Sequence, residues 1–408
     1  MKNILFLTHN FPPEVNAPAN RTYEHAIIWQ KLGANVTIIT NHPNHPHGRL
    51  YDGYKNRWLS TEIIDGIKVI RVKTYLTANK DNIKRSINFL VYFFLAIKAS
   101  TLVKNVDVII ATSPQFFCGL AGTIIKKIKN KPFVLEVRDL WPDSIVAVKT
   151  IKENLFIKFL RIFEKKMYYS ADRIVVLTNS FKKHILGFGF PSEKILTIPN
   201  GVILSHFNNV RELKIDLEFD FTDKGKFFVS YIGTFGLAHG IENIILAAEI
   251  LQNNSNIHFL LVGDGSRRKN LLSLVKKLGL TNVTILPLQS RKMILNLFDF
   301  SDVGVVTLIN SPLFNTVIPS KIFEYMAARK PLIISVPWGE TTKIIERHFC
   351  GINVTPENPG AISESILKLY NNNSLRTEMG ANGNKTVKRY YNRERLATQM
   401  YQIIISDL

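Results

Sequence analysis

A chain of 408 residues, 46% hydrophobic and 21% charged, has ordinary globular composition and the length of two domains, which excludes a disordered or fibrous protein. Its only cysteines, Cys118 and Cys350, are too few for a disulfide framework and agree with a reducing, cytoplasmic setting. The formal net charge of +20 favours an anionic partner; no zinc-finger, RNA-recognition or single-strand-binding signature accompanies it, so nucleic acid is not the expected one.

The opening segment, Met1-Lys-Asn-Ile-Leu-Phe-Leu-Thr-His9, holds too short an apolar run for a signal peptide and reads as a strand over Asn3–His9. The loop His9–Arg21 follows, kept extended by three prolines. Asn16 and Arg21 near its end suit hydroxyl and phosphate groups, and a stiff structural loop is the equal alternative. A helix is expected over Asn20–Lys31, with strands over Asn35–Thr40 and Ile67–Val72. Between those strands, Asn41-His-Pro-Asn-His-Pro-His47 offers three histidines. Its prolines prevent helical pairing and no acidic or cysteine ligand is near in sequence, so no metal is expected.

The run Ile87–Ile97 is intensely apolar and follows Lys80, Lys84 and Arg85. It is shorter than the roughly 20 residues a spanning helix requires. It reads as part of a core helix, Ser86–Lys104, or as an aromatic surface around Phe89–Leu95 that docks on an anionic bilayer. Strands follow at Asp107–Thr112, Pro132–Arg138, Arg173–Thr178 and Ile195–Pro199. Val/Ile-rich strands alternating with helices require a parallel sheet covered on both faces. Asp139-Leu-Trp-Pro-Asp143 leaves one strand end, where the Asp139 carboxylate and the Trp141 ring suit a sugar; helix capping by Asp143 is the plainer reading.

The stretch Asn200–Lys226 is polar and comparatively acidic. It separates a first α/β domain, 1–200, from a second, 227–385, with 201–226 as the connection and 386–408 as a closing helix that can return to the first domain. The second domain carries strands at Phe227–Ile232, His258–Val262, Thr284–Leu288, Val303–Leu308, Pro331–Ser335 and Gly351–Thr355. Two strands end in glycine turns, Gly233-Thr-Phe-Gly-Leu-Ala-His-Gly240 and Gly263-Asp-Gly265, which bring backbone close to phosphate. Neither is a G-x-G-x-x-G fingerprint or a P-loop, so nicotinamide and ATP chemistry lose support. Pro319-Ser320 then open a helix whose first turn places Lys321 and Glu324 on one face. Free N–H groups, a lysine for phosphate and a carboxylate for sugar hydroxyls together suit a nucleoside diphosphate. No Asp-x-Asp pair occurs to clamp a divalent cation on it.

These motifs resemble the retaining glycosyltransferases of family 4, which have the GT-B architecture of two facing Rossmann-like α/β domains. Phe11-Pro-Pro-Glu14, Asp139-Leu-Trp-Pro142, Gly233–Gly240, Gly263-Asp-Gly265 and Pro319–Ala327 carry the likeness over essentially the whole chain. It is nearest to the L-fucosamine transferase type of O-antigen and capsule assembly. The resemblance implies transfer of a sugar, an N-acetylated amino sugar such as FucNAc among the candidates, from a UDP-sugar donor. The implied acceptor is a polyprenyl-diphosphate-linked sugar at the inner face of the cytoplasmic membrane, where the enzyme is peripheral and needs no cofactor or metal.

In the family's Glu-x7-Glu motif the second glutamate, which holds the ribose, falls on Glu324, and the first, which contacts the donor sugar, falls on Thr316. The arginine and lysine of the family's glycine loop fall on Thr234 and His239. A phosphate beside His239 would favour its charged form, and Lys321 and Arg268 supply further positive charge. The implied donor contacts are Gly233, Thr234, Gly263, Arg268, Thr316, Ser320, Lys321 and Glu324. Asn16, Arg21, Asp139 and Trp141 are the acceptor candidates, and His239, Lys321 and Asp139 the catalytic ones. Catalysis would rest on positioning and charge stabilisation, with the departing phosphate oxygen taking the acceptor proton. The rivals are a nucleotide-sugar epimerase or hydrolase on the same fold, which gives the apolar Phe89 region no role, and a nucleic-acid-binding protein, which gives the Glu324 helix none.

Overall fold

The structure, a computed structural model, describes residues 1–45, 48–76, 82–113, 115–147, 154–207 and 225–406. The chain divides into two units, Met1–Pro199 together with Arg393–Leu408, and Asn200–Asn392.

The first unit runs β1 (Asn3–Leu7), α1 (Ala17–Lys31), β2 (Asn35–Asn41), β3 (Leu59–Ile64), β4 (Ile67–Val72), α2 (Asn82–Ser100), β5 (Val108–Thr112), α3 (Phe116–Lys129), β6 (Phe133–Val137), α4 (Asp143–Ala147), α5 (Leu155–Ser170), β7 (Arg173–Val176), α6 (Asn179–Leu186) and β8 (Ile195–Thr197). The strands form one sheet in the order β3-β4-β2-β1-β5-β6-β7-β8. All neighbours are parallel except β3, which pairs antiparallel with β4. That edge strand is absent from the sequence reading. It is made by a tight Asp65-Gly66 turn, both residues at positive φ, a hairpin signal. The expected extended loop His9–Arg21 ends early: Asn16 caps α1, its side chain accepting from the Ala19 amide. Pro18 falls in the first helical turn, where its missing N–H is harmless, so Arg21 is a helix residue.

The second unit runs β9 (Phe227–Ile232), α7 (Glu242–Ile250), β10 (Ile257–Val262), α8 (Arg268–Leu278), β11 (Val283–Leu286), α9 (Arg291–Phe300), β12 (Val303–Thr307), α10 (Lys321–Ala327), β13 (Leu332–Ser335), α11 (Glu340–His348), β14 (Gly351–Val354), α12 (Pro359–Tyr370) and α13 (Asn373–Tyr390). Its parallel sheet has the order β11-β10-β9-β12-β13-β14. Strand order reverses between β9 and β12, and in such sheets ligands bind at the carboxyl ends beside that reversal. In the first unit the reversal lies between β1 and β5.

The closing helix differs from the expected 386–408. Helix α13 continues to Tyr390 and ends where the Tyr391 carbonyl accepts from the Val202 amide at 2.9 Å. A separate helix, α14 (Arg393–Ser406), then packs on α1 of the first unit. Leu396, Ala397, Met400, Tyr401 and Ile404 join the core that contains Trp29 and Ile38. The Trp29 indole donates to the Ala397 carbonyl at 2.9 Å, and Arg393 pairs with Glu24 at 3.1 Å. Of the expected connection 201–226, a 3₁₀ turn at Leu204–Phe207 belongs to the second unit, and 208–224 lies outside the described residues.

Candidate active site

Strands β9 and β10 end side by side, and their glycine turns are laced together. The Gly233 amide donates to the Val262 carbonyl at 2.9 Å and the Phe235 amide to the Asp264 carbonyl at 2.8 Å. At Gly263, with φ +153°, a Cβ would stand 1.8 Å from the Gly233 carbonyl oxygen. Only glycine permits that approach.

A Cβ at Gly233 would meet the Lys321 ammonium at 2.7 Å, so the first residue of α10 reaches across the end of β9. Lys321 is 9% exposed, and its Nζ makes no hydrogen bond to the described residues. It sits 3.7 Å from the centre of the Tyr231 ring. Burial lowers its pKa to about 7, partly opposed by Glu324. A buried ammonium without a partner is costly, and an anion at Gly233 would restore its charge.

His239 closes the 3₁₀ turn Leu237–His239, and its carbonyl accepts from the Thr307 hydroxyl at 2.5 Å. Burial and then the Lys321 charge lower its imidazole to about 3. In the free chain His239 is therefore neutral at pH 7, and the charged form expected of it beside a phosphate requires that phosphate to be bound. Arg268 opens α8 with its Nε buried and unbonded among the described residues, whereas Arg267 is tied to Glu242 at 2.8 Å.

Glu324 sits on α10, half-buried, with one oxygen accepting from Arg291 at 2.5 Å. Arg291 is absent from the sequence reading, and nothing in sequence links positions 33 residues apart. Ser320 precedes the helix in αR geometry without a side-chain cap. The Thr316 hydroxyl donates to the Leu313 carbonyl at 2.7 Å, and Thr234 lends its carbonyl to the Tyr231 hydroxyl at 2.8 Å. Lys321, Gly233, Gly263 and His239 thus stand together at the β9–β12 reversal.

The acceptor candidates of the first unit are differently placed. Asn16 is the α1 cap, and Arg21 is buried with its Nε 2.9 Å from Glu136 Oε1. Both side chains are engaged within the fold, as the stiff structural alternative for this loop expects. Trp141 lies against Phe116 with ring centres 4.4 Å apart, so one face is already covered. Burial pushes the half-buried Asp139 carboxyl up to about 6, with Ser144 and the Leu140 amide drawing it down. The motif glutamate Glu14 accepts from the backbone amides of Asn44 and His45 at 3.0 and 2.9 Å, clamping the histidine segment. Pro46 and His47 of that segment lie outside the described residues. Among the described residues no group of three or more His, Cys, Asp and Glu side chains gathers to hold a metal.

Comparison with known proteins agrees with this division. Residues 19–206 match the family described as Glycosyltransferase Family 4, and residues 215–386 the family described as Glycosyl transferases group 1. The chain is 25% identical over 375 residues to a protein of Escherichia coli strain K12 named as a colanic acid biosynthesis glycosyl transferase, WcaI, covering 89% of this chain and 91% of that one. Among solved structures, the sucrose-phosphate synthase of Thermosynechococcus elongatus superposes with a TM-score of 0.78 at 17% identity, covering 99% of this chain and 98% of that one. HepE of Anabaena, in complex with UDP and glucose, superposes with a TM-score of 0.73 at 15% identity over 100% of both chains.

Proposed function

This chain belongs to the family 4 glycosyltransferases with the GT-B fold, and we propose that it transfers a sugar from a UDP-sugar donor to a lipid-linked acceptor during cell-surface polysaccharide synthesis. The observation that carries the donor half is the buried, unbonded Lys321 ammonium against Gly233 at the β9–β12 reversal. A diphosphate there gains the lysine charge, with Arg268 at the start of α8 as a second cation. Glu324, oriented by Arg291, takes the ribose hydroxyls. The UDP and glucose bound to HepE and the colanic acid role in the name of the E. coli relative support the same reading.

The reaction proceeds with retention and without a metal. Lys321 and Arg268 stabilise the leaving diphosphate, and the acceptor hydroxyl attacks from the face the diphosphate leaves, passing its proton to the departing phosphate oxygen. An N-acetylated amino sugar such as FucNAc is the donor to assay first; Thr316, at the position that in the family contacts the donor sugar, does not itself select among sugars.

A lipid-linked acceptor, a polyprenyl diphosphate bearing a sugar, agrees with the helical layer α2–α3–α5, in which α3 packs against both neighbours. No helix among the described residues is long and apolar enough to cross a membrane. The outer face of α5 is nevertheless apolar and basic: Leu155 is 82% exposed and Phe156, Phe159 and Ile162 all more than half, interspersed with Lys158, Lys165 and Lys166. Ile128 on α3 and Phe94 on α2 are exposed as well. Glu164, the one acidic residue of these three helices, is turned inward onto the Tyr168 hydroxyl at 2.7 Å. Such a face suits the anionic inner leaflet, where each basic residue contributes about 1 kcal/mol.

The deciding experiment is a thermal-shift screen of nucleotides and nucleotide sugars, followed by transfer to a polyprenyl-diphosphate-linked sugar in excess chelator. UDP and one UDP-sugar should raise the melting temperature by mass action, and product should form with chelator present. No nucleotide response would sink the donor assignment, and strict dependence on a divalent metal would sink the metal-free version.

A further inference from the structure

We propose that Arg138 is the anion-binding residue of the first unit and receives the phosphate group of a phosphorylated acceptor at the carboxyl end of β6. This rests on the acceptor reading above and adds to it a site and a ligand chemistry.

Arg138 immediately follows β6, and its backbone amide donates to the Ser113 hydroxyl beyond the end of β5 at 3.3 Å. It therefore stands on the edge of the sheet where ligands bind in doubly wound folds. Its Nε and Nη1 are shielded from solvent and bonded to nothing among the described residues. The charges around it do not balance. Arg21 is committed to Glu136 and Arg393 to Glu24. His25, packed among the same arginines, is held neutral by burial and then by their charge. Two carboxylates thus face three guanidiniums, and Arg138 is the one in excess. The nearest carboxylate, Glu136, is already bonded to Arg21, so the shielded Nε and Nη1 of Arg138 are left with unspent donors, and the planar fork of a guanidinium matches the oxygens of a phosphate. Burial and the neighbouring arginines lower its pKa to about 9, still charged at neutral pH. The chemistry is that of a phosphate ester or diphosphate, from a prenyl diphosphate lipid or from a soluble sugar phosphate.

The second oxygen of Glu136 is also unbonded, so the competing role for Arg138 is as a structural counter-ion to Glu136. The two separate in protein saturated with UDP, which fills the donor site, titrated with inorganic pyrophosphate and followed by melting temperature. Pyrophosphate should stabilise the saturated wild type and not Arg138→Gln, with Arg138→Lys recovering part of the response. In the transfer assay Arg138→Gln should raise the acceptor KM about tenfold or more and leave the donor KM unchanged. Farnesyl diphosphate and glucose 6-phosphate, titrated in parallel, distinguish the two phosphate sources.

An equal pyrophosphate response in wild type and Arg138→Gln, or no response in wild type, overturns the proposal. So does a loss of stability with the acceptor KM unmoved. If Arg138→Gln does not fold, Arg138→Lys and the wild-type titration still decide. Failure of UDP to bind would count against the donor reading alone, because the pyrophosphate response of the Arg138 variants can be compared without it.

Discussion

Lys321 shows how burial sets chemistry at one residue. Its amine titrates near 7 rather than 10.5 because the Gly233 turn and the Tyr231 ring exclude water. A lowered amine pKa means the folded chain prefers the neutral form, so its contribution to stability rises with pH from about 7 toward the ordinary lysine range. A bound diphosphate prefers the charged form, so affinity runs the other way. UDP should bind more weakly at pH 8.5 than at pH 6.5, with proton uptake detectable by calorimetry in buffers of different ionisation heat. In Lys321→Met the affinity at pH 6.5 should fall about tenfold to a hundredfold, and the part of the pH dependence due to the protein should vanish. A mutant that keeps the wild-type pH profile would remove Lys321 from the diphosphate site. Two candidate acceptor residues are engaged within the fold for one physical reason. Asn16 and Arg21 have side chains that suit a ligand, but the Ala19 amide and a carboxylate 115 positions away claim them first.

Among the elements, α2 and α5 divide the membrane argument. The apolar run on α2 is half core, because the 3.6-residue period turns Tyr92, Ala96 and Ala99 inward while Phe94 faces out. Phe89, within the expected docking surface, packs edge-on to His9 at 5.2 Å. Helix α5 is the stronger candidate, and its Lys158, Lys165 and Lys166 lie among the exposed aromatic residues rather than opposite them. Replacing Phe156 and Phe159 by serine removes surface more than half of which is already in water, together with the Phe159–Phe163 ring contact, so melting should fall by only a few degrees. Co-sedimentation with phosphatidylserine-containing vesicles at low salt should fall about tenfold, in proportion to the apolar area no longer inserted. Unaltered vesicle binding in the double variant would exclude α5 as the docking element.

At the scale of the whole molecule, α14 follows the second unit in sequence and completes the first in space. Deleting Arg393–Leu408 uncovers Trp29 and removes Leu396, Met400, Tyr401 and Ile404 from its core. At about 1.5–3 kcal/mol for each large buried side chain, the loss rivals the whole stability of a typical domain, about 5–15 kcal/mol. The truncated chain should lose the cooperative melting transition of the first unit while UDP still protects the second from proteolysis. Retention of both transitions would show that the helix is dispensable. The two-unit plan also explains which motifs could be read in advance. The strands, the glycine turns and the Lys321–Glu324 helix are local patterns of period, turn chemistry and spacing. The Arg291–Glu324 and Arg21–Glu136 pairs depend on which elements lie side by side, whereas the Asp65-Gly66 edge hairpin carries a local turn signal that the sequence reading passed over.

The sequence by itself determined the α/β class, most strand positions and the nucleotide-binding helix, because alternating apolar periods and glycine-bearing strand ends follow from backbone geometry within a few residues. Its motifs also carried the family. Only the tertiary structure decided which polar side chains are consumed by the fold and which are left over. Glu14 and Arg21 carry charge of the right kind and are spent on backbone amides and on a buried carboxylate. Lys321 and Arg138 are brought to sheet edges with donors that nothing in the described protein satisfies. Whether a charge is spare depends on partners far away in sequence and on the exclusion of water, and neither is written locally.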